Sequence, residues 1–437
     1  MKLKRGDKKL INAWAFYDWA NSVYSLVIST AVFPIYYSGI TASFENVEGE
    51  IKFLGTMWHS TTLYNYTLAF AFLVVAFISP ILSGIADYTG NKLKFLKFFC
   101  LLGSLSVMSL FFFEGESTLW VGIVFTIMAS IGFWGSIVFY NAYLPEVAFP
   151  EQQDKVSAKG FMLGYAGSIL LLFLSLFMVN KPEFFGLPNA GFASRLTFVL
   201  VGIWWLGFAQ ITYRRLPNNV YGRKPSKDFI WKGLHELKAV ALEIKEYSSL
   251  KFFLYSFFLF SVGVQTIILM AGIFGSQELG LPTLDLIAVI LLVQIVGILG
   301  AFIFSRVSNK IGNLATLKIT ISIWALVCLG AFLLDKSQEN VNLYFYGLGA
   351  LIGLVMGAIQ SLSRSTYSKL LPETKDHATY FSFYDVTEKI AIVFGMLVFG
   401  LLISLTGSMQ WSVLFLAIFF IGSFVLLYFV RKTKYVK

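Results

Sequence analysis

Apolar residues along this chain gather into long runs separated by short polar stretches; they do not alternate as in a half-buried strand. Six runs fall at about residues 14–37, 61–82, 95–113, 118–141, 157–179 and 195–213. Six more fall at about 252–275, 284–305, 315–334, 342–362, 381–405 and 410–430. Each is close to the roughly 20 residues with which an α-helix crosses about 30 Å of hydrocarbon. The pattern predicts an all-α polytopic membrane protein of twelve transmembrane helices. It divides into a six-helix bundle over 1–213, a linker over 214–250 and a second six-helix bundle over 251–437.

Composition strengthens this reading. Of 437 residues, 57% are hydrophobic and 13% charged, where a soluble domain carries about 25% charged residues, so a water-soluble globule is excluded. In a soluble protein the net charge of +10 would raise nucleic-acid binding. Here position decides otherwise. With both termini in the cytoplasm, every Lys and Arg falls on the cytoplasmic side except Lys52, Lys181, Arg195 and Lys336 outside, and Lys389 within a run. Basic residues concentrate in cytoplasmic segments, so the charge reports topology and not a nucleic-acid partner. The expected location is the inner (plasma) membrane. The first run is too long for the core of a signal peptide, contains Asp18 and Asn21, and lacks a small-residue cleavage site.

Between the sixes, Ile230, Trp231, Leu234, Leu237, Val240, Ala241 and Ile244 recur at helical spacing with Lys232, Lys238 and Lys245 among them. This predicts an amphipathic helix on the cytoplasmic leaflet, strapping the two halves together. The halves also echo one another. Gly90-Asn91 after the second run matches Gly312-Asn313 after the eighth, and Leu144-Pro145-Glu146 after the fourth matches Leu371-Pro372-Glu373 after the tenth. Their order and spacing are those of a duplicated six-helix unit.

An ionisable side chain inside a span costs a few kcal/mol or more, which makes it a functional candidate. Asp18, Asp385, Glu388 and Lys389 qualify, with Arg364 at the inner end of the tenth run. Counted from the run ends, Asp18 and Asp385 lie one to two turns from the cytoplasmic mouth. Two readings stay open. Asp18 with Tyr17 and Asn21 could join Asn141, Arg364 and Asp385 in an inter-half cluster that closes a cytoplasmic gate. Alternatively Asp18, Asp385 or Glu388 could carry a proton across, with burial favouring the neutral carboxyl. Adjacent helix residues do not face each other, so Glu388 and Lys389 are expected to neutralise separate neighbours or point to different faces. Tyr140, Asn141, Gln265, Gln294 and Gln360 could hydrogen-bond a small zwitterion in a central cavity, while Arg364 could hold its carboxylate; interhelical bonding is the plainer role for each Gln.

The segments WAFYDWANSVYSLVISTAVFPIYY (14–37), FYNAYLPEVAFPEQQDKVSAKGFMLGYAGS (139–168), QSLSRSTYSKLLPE (360–373) and FSFYDVTEKIAIVFG (381–395) occur in that order. Together they resemble the vacuolar amino-acid effluxer-like branch of the major facilitator superfamily, which includes autophagy-related yeast permeases and many bacterial members. SGIADYTGNKLK (83–94) also approximates the superfamily's Gly-x-x-x-Asp-x-x-Gly loop, with Asp87, Gly90, Lys92 and Lys94 in register; Ser83 stands where the first Gly is expected, with Gly84 beside it. The resemblance implies two bundles that alternate access to a small solute, with Asp87 in a cytoplasmic latch. It further implies amino-acid export and a monomer in the lipid bilayer, while the buried carboxylates make protons a candidate coupling ion. A non-transporting receptor or scaffold on the same fold is the alternative.

Enzymatic chemistry finds no foothold. His59, His235 and His377 fall in or near predicted loops, Cys100 and Cys328 lie in apolar runs, and no phosphate-binding GxxxxGK[ST] loop is present, so neither a metal nor another cofactor is called for.

Overall fold

The chain was analysed as a computed structural model that describes residues 4–218, 229–431 and 436. Part of the expected linker, 219–228, lies outside the described residues. Among the described residues, twelve helices are long and apolar enough to cross a membrane. Spans 1 to 6 are Lys8–Thr41, Ser60–Thr89, Lys92–Phe112, Glu116–Val147, Gln153–Asn180 and Ala190–Tyr213. Spans 7 to 12 are Ser248–Glu278, Leu284–Ile311, Asn313–Phe332, Val341–Leu370, His377–Thr406 and Met409–Leu426. Several helices outrun their apolar cores at the end that bears both described termini and most of the Lys and Arg, here called the basic end. Span 1 starts at Lys8 because Asp7 caps it, its carboxylate accepting from the Lys9 N–H at 2.7 Å. Span 11 likewise begins at His377, not near 381.

The packing repeats with a shift of six spans. Spans 1 and 5, 1 and 6, 2 and 4, 3 and 4, and 3 and 6 pack together; so do 7 and 11, 7 and 12, 8 and 10, 9 and 10, and 9 and 12. Between the halves, span 2 packs on 11 and span 4 on 11, while span 8 packs on 5 and span 10 on 5. This is a pseudo-twofold arrangement of two six-helix bundles. Small residues let the backbones approach within a bundle, as where Gly103 of span 3 meets Gly132 of span 4.

The linker helix, Phe229–Glu246, is present. It docks on span 2 and also touches spans 7 and 11. The cause is a glycine pair: a Cβ on Gly84 would stand 2.3 Å from the Gly233 carbonyl oxygen. Val240 and Ile244 are buried, while Trp231 and Leu242 stay exposed. An antiparallel hairpin, Glu50–Phe53 with Thr56–His59, joins spans 1 and 2 at the opposite end; the hydropathy pattern gave no sign of it, because only Glu50–Phe53 alternates, over too few residues to stand out, and the Leu54-Gly55 turn is not an Asn-Gly signal.

Candidate functional site

The local chain path sets up the first inter-half contact. Gly90 adopts φ +70° and ends span 2, its N–H bonding back to the Ala86 and Asp87 carbonyls, the left-handed cap that glycine favours. Asp87 is thereby held in the last turn of span 2 and Lys92 opens span 3. Asp87 then crosses to the other half. One carboxylate oxygen accepts from the Thr379 N–H at 2.7 Å and the Thr379 hydroxyl at 2.9 Å, and the other accepts from the Ala378 N–H at 3.2 Å. These are unpaired N–H groups at the start of span 11, where the helix dipole favours an anion. Lys92 bridges Asp87, at 3.5 Å, to Glu146, and His377 Nδ1 approaches Glu146 at 3.1 Å. Gly90 contributes only the turn, and Lys94 is exposed. The tight contact expected at Ser83 is made instead by Gly84, and its partner is the linker helix.

A second contact sits at the pseudo-symmetric position. Asp154, in the first turn of span 5, accepts from Ser308 Oγ at 2.8 Å and from Asn313 Nδ2 at 2.9 Å, and pairs with Lys369 at 2.7 Å. The loop between spans 8 and 9 therefore grips span 5 as the loop between spans 2 and 3 grips span 11.

Between these two latches lies the Arg364 cluster. Arg364 Nη1 and Nη2 each lie 3.3 Å from Asp18 Oδ2, and Nη1 also donates to Asn141 Oδ1 at 3.2 Å. Nε donates to the Ser157 hydroxyl and Nη2 to the Ser157 carbonyl, both at 2.9 Å. All five guanidinium N–H groups are thus engaged. Tyr140 OH donates to Asp18 Oδ2 at 2.8 Å, and the guanidinium lies over the rings of Trp14, Tyr140 and Phe161. Arg364 is 3% exposed and Asp18 7%. Gly160 makes the room: a Cβ there would stand 2.2 Å from Asp18 Oδ2.

Deeper in, span 11 carries a separate cluster. Lys389 Nζ lies 2.6 Å from Asp385 Oδ1 and 3.2 Å from Glu388 Oε2, and 3.7 Å from the centre of the Trp134 ring, which belongs to the other half. Gln265 Nε2 donates to Glu388 Oε1 at 2.8 Å. Asp385 Oδ2 is buried with no hydrogen-bond partner. Counted from His377 at 1.5 Å per residue, Lys389 lies about 18 Å along span 11, inside its apolar run.

The sequence-derived candidates therefore separate. Asp18, Tyr140, Asn141 and Arg364 come together across the halves, and Asp385 does not join them. Asp18 stands about 15 Å along span 1, since that helix begins at Lys8, ahead of the apolar run. Glu388 and Lys389 meet although adjacent, because the long lysine chain folds back to its neighbour. Tyr17 packs on Tyr140 with the rings tilted and its hydroxyl buried without a hydrogen-bond partner, and Asn21 accepts from Ser22 at 3.4 Å. Gln360 accepts from Tyr165 across the halves at 2.8 Å, while Gln294, half-buried on span 8, makes no hydrogen bond among the described residues. Sequence reasoning assigned no role to Glu146, Asp154, Ser157, Asn313, Lys369, Trp134 or His377. Asp154 and Ser157 lay inside the segment 139–168 and Glu146 in the repeated Leu-Pro-Glu, which were the available signals.

Residues 6–436 match the family described as vacuole effluxer Atg22 like. The chain belongs to that family. It is 33% identical over 429 residues to the uncharacterized MFS-type transporter YxiO of Bacillus subtilis, covering 96% of this chain and 94% of that one. Autophagy-related protein 22-1 of Penicillium rubens is 25% identical, over 84% of this chain and 75% of its own. Among solved structures, the proton:xylose symporter XylE aligns with TM-score 0.71 at 15% identity, covering 98% of this chain and 97% of that one. FucP in its outward conformation aligns with TM-score 0.69 at 12% identity, over 97% and 98%. The Atg22-like chain is thus a multi-pass membrane protein with the major facilitator fold, and family and fold together make it a secondary transporter.

Proposed function

We propose that the protein moves a small polar solute by rocking its two bundles about a central site, with the basic end in the cytoplasm of the cell and the membrane being the inner one. The observation that carries this is the buried Asp18–Arg364 pair, one partner from each half, flanked by two inter-half latches. The two latches and the Asp18–Arg364 pair close the basic end in this conformation. The same pair leaves Arg364 no free donor for a solute carboxylate in this state, which supports a gate role over a binding role. Amino-acid export rests on the family's description as an effluxer and on the resemblance of the sequence motifs. Proton coupling is assigned to the Asp385–Glu388 cluster, since one of its buried carboxylate oxygens lacks a donor, and not to Asp18, whose hydrogen bonds are made.

Counterflow in proteoliposomes against a metabolite panel, repeated with an imposed pH difference, tests the reading. Solute exchange is expected, with pH-driven accumulation that Asp385→Asn abolishes. Asp18→Asn should instead shift the cysteine accessibility of the basic end. Ligand binding without counterflow would make the chain a receptor or scaffold, and unchanged pH-driven uptake in Asp385→Asn would remove that residue from the proton path.

A further inference from the structure

The Lys389 cluster of span 11 is one positive charge short. Ionised, Asp385 and Glu388 bring two negative charges and Lys389 one positive. An uncompensated charge inside a membrane span is costly, so such a site persists only if something supplies the missing cation for part of the cycle. The walls of the cluster do not. Gln265 from span 7 is neutral, and so is Trp134 from span 4, whose ring face is already covered by Lys389. Arg364 of span 10 is committed to Asp18. Tyr384 is the other titratable neighbour on span 11 itself. Asp87 of span 2 and Glu243 of the linker helix belong to the basic end, and span 12 carries no ionisable side chain.

Resting on the transport reading above, we propose that this cluster binds the ammonium group of the transported solute. The solute ammonium takes the Glu388 side, where Gln265 Nε2 holds the carboxylate in place, while Lys389 stays with Asp385. A proton on either carboxylate neutralises the same deficit, so proton and ammonium exclude one another. Competition for one vacancy couples inward proton flow to outward amine flow without a second site, because each ligand weakens the other by the same factor. The solute class follows from the charge count. An amine with or without a carboxylate is accepted, whereas the hydroxy acid of the same skeleton, which brings a second negative charge and no cation, is refused. Lys389 over Trp134 ties this site to the opposite half, so its occupancy acts on a contact that rocking must remake.

The test uses the purified full-length protein and matched triplets built on the side chains of alanine, leucine and phenylalanine: the amino acid, the amine lacking its carboxyl group, and the hydroxy acid. Thermal shift and proteoliposome counterflow are read for each at pH 6 and pH 8. At least one triplet is expected to show the amino acid and the amine binding and the hydroxy acid silent, with apparent affinity about twofold or more tighter at pH 8 than at pH 6. Glu388→Gln should lose binding and its pH dependence while melting as one folded species, and Glu388→Asp should recover part of both. Hydroxy acids binding as well as amines, no amine response in any triplet, or unaltered amine affinity in Glu388→Gln would overturn the proposal. Counterflow of a non-amine metabolite in that event would leave the transport reading standing, whereas absence of counterflow for every metabolite would remove that reading itself.

Discussion

The Arg364 cluster and the Lys389 cluster are both buried ion networks within one membrane domain, and they differ in how completely they are satisfied. Around Arg364 each guanidinium donor finds an acceptor, and Asp18 receives Tyr140 as well as the arginine. Around Lys389 two carboxylates share one ammonium and an oxygen of Asp385 goes without a donor. A fully satisfied buried network fixes one geometry; a partly satisfied one is unstable unless it is completed from outside. The first is built to hold a conformation and the second to take up something that comes and goes.

The largest effect should come from breaking the satisfied network. Removing one partner of a buried pair costs roughly 3–5 kcal/mol, because the other charge stays buried alone. Arg364→Ala is expected to withdraw that much from the conformation closed at the basic end and to shift the balance by about a hundredfold or more toward opening there. Spin labels at the exposed positions Lys94 and Glu373, on opposite halves, would report it as a longer distance distribution. An unchanged distribution would mean that the latches alone hold the closed state. The double variant Asp18→Leu/Arg364→Met sharpens the point, since an apolar pair of similar bulk is often neutral in stability: closure should largely return, while the variant still lacks the buried charges.

The two latches extend the contrast to smaller energies. Both join a loop of one half to the first turn of a helix in the other, at places the internal repeat relates, yet their chemistry is inverted. In one, the loop side supplies the carboxylate of Asp87 and the helix supplies N–H groups. In the other, the helix supplies the carboxylate of Asp154, and the facing half supplies Ser308, Asn313 and Lys369. Asp154 is the one acid of its latch among the described residues, while the Asp87 latch has a second strand through Lys92, Glu146 and His377. Asp154→Asn should therefore cost roughly 1.5–3 kcal/mol of closure, the range for hydrogen bonds to charged groups, and Asp87→Asn about 1 kcal/mol, because the amide oxygen still accepts from span 11. Labelling rates of single cysteines at the basic end give both numbers. The reverse order would show that capping span 11 outweighs the Asp154–Lys369 pair.

This inversion also explains what could be read from the sequence. The matched Gly-Asn pairs established the repeat, because glycine marks a turn whatever surrounds it, and the repeat together with the apolar runs was enough for the twelve spans and their two bundles. The same pairs were silent on chemistry. Asn313 bridges to Asp154, whereas its counterpart Asn91 donates to the Thr89 carbonyl two residues away. Likewise Glu146 is tied into a latch while its repeat Glu373 is exposed. Asp18, Arg364, Asp385 and Lys389 stood out because charge is rare inside a span. Which of them paired with which depended on contacts separated by hundreds of residues, and on Gly160 leaving space for a carboxylate, neither of which a single chain reveals. His377 looked like a loop residue because hydropathy ends a span where its lipid contact ends, while the helix itself runs on into the latch.

The smallest expected effect lies at the level between the two networks. Tyr165 OH donates to Gln360 Oε1 across the halves at 2.8 Å, a neutral pair in which Tyr165 is buried and Gln360 half-buried. Interhelical hydrogen bonds of this kind average about 0.6 kcal/mol in membranes, because the separated partners find other bonds. Tyr165→Phe keeps the ring and removes the donor, so it should relax closure by about threefold or less and leave the melting temperature nearly unchanged. The spin-label distance distribution resolves a change of that size, and it separates two views of the boundary. If Tyr165→Phe matches Arg364→Ala in effect, the seal between the halves lies at this level and the Arg364 cluster only follows it. If the change is small, closure is concentrated in the ion pair, and the span 5–span 10 seam is free to slide while the bundles rock.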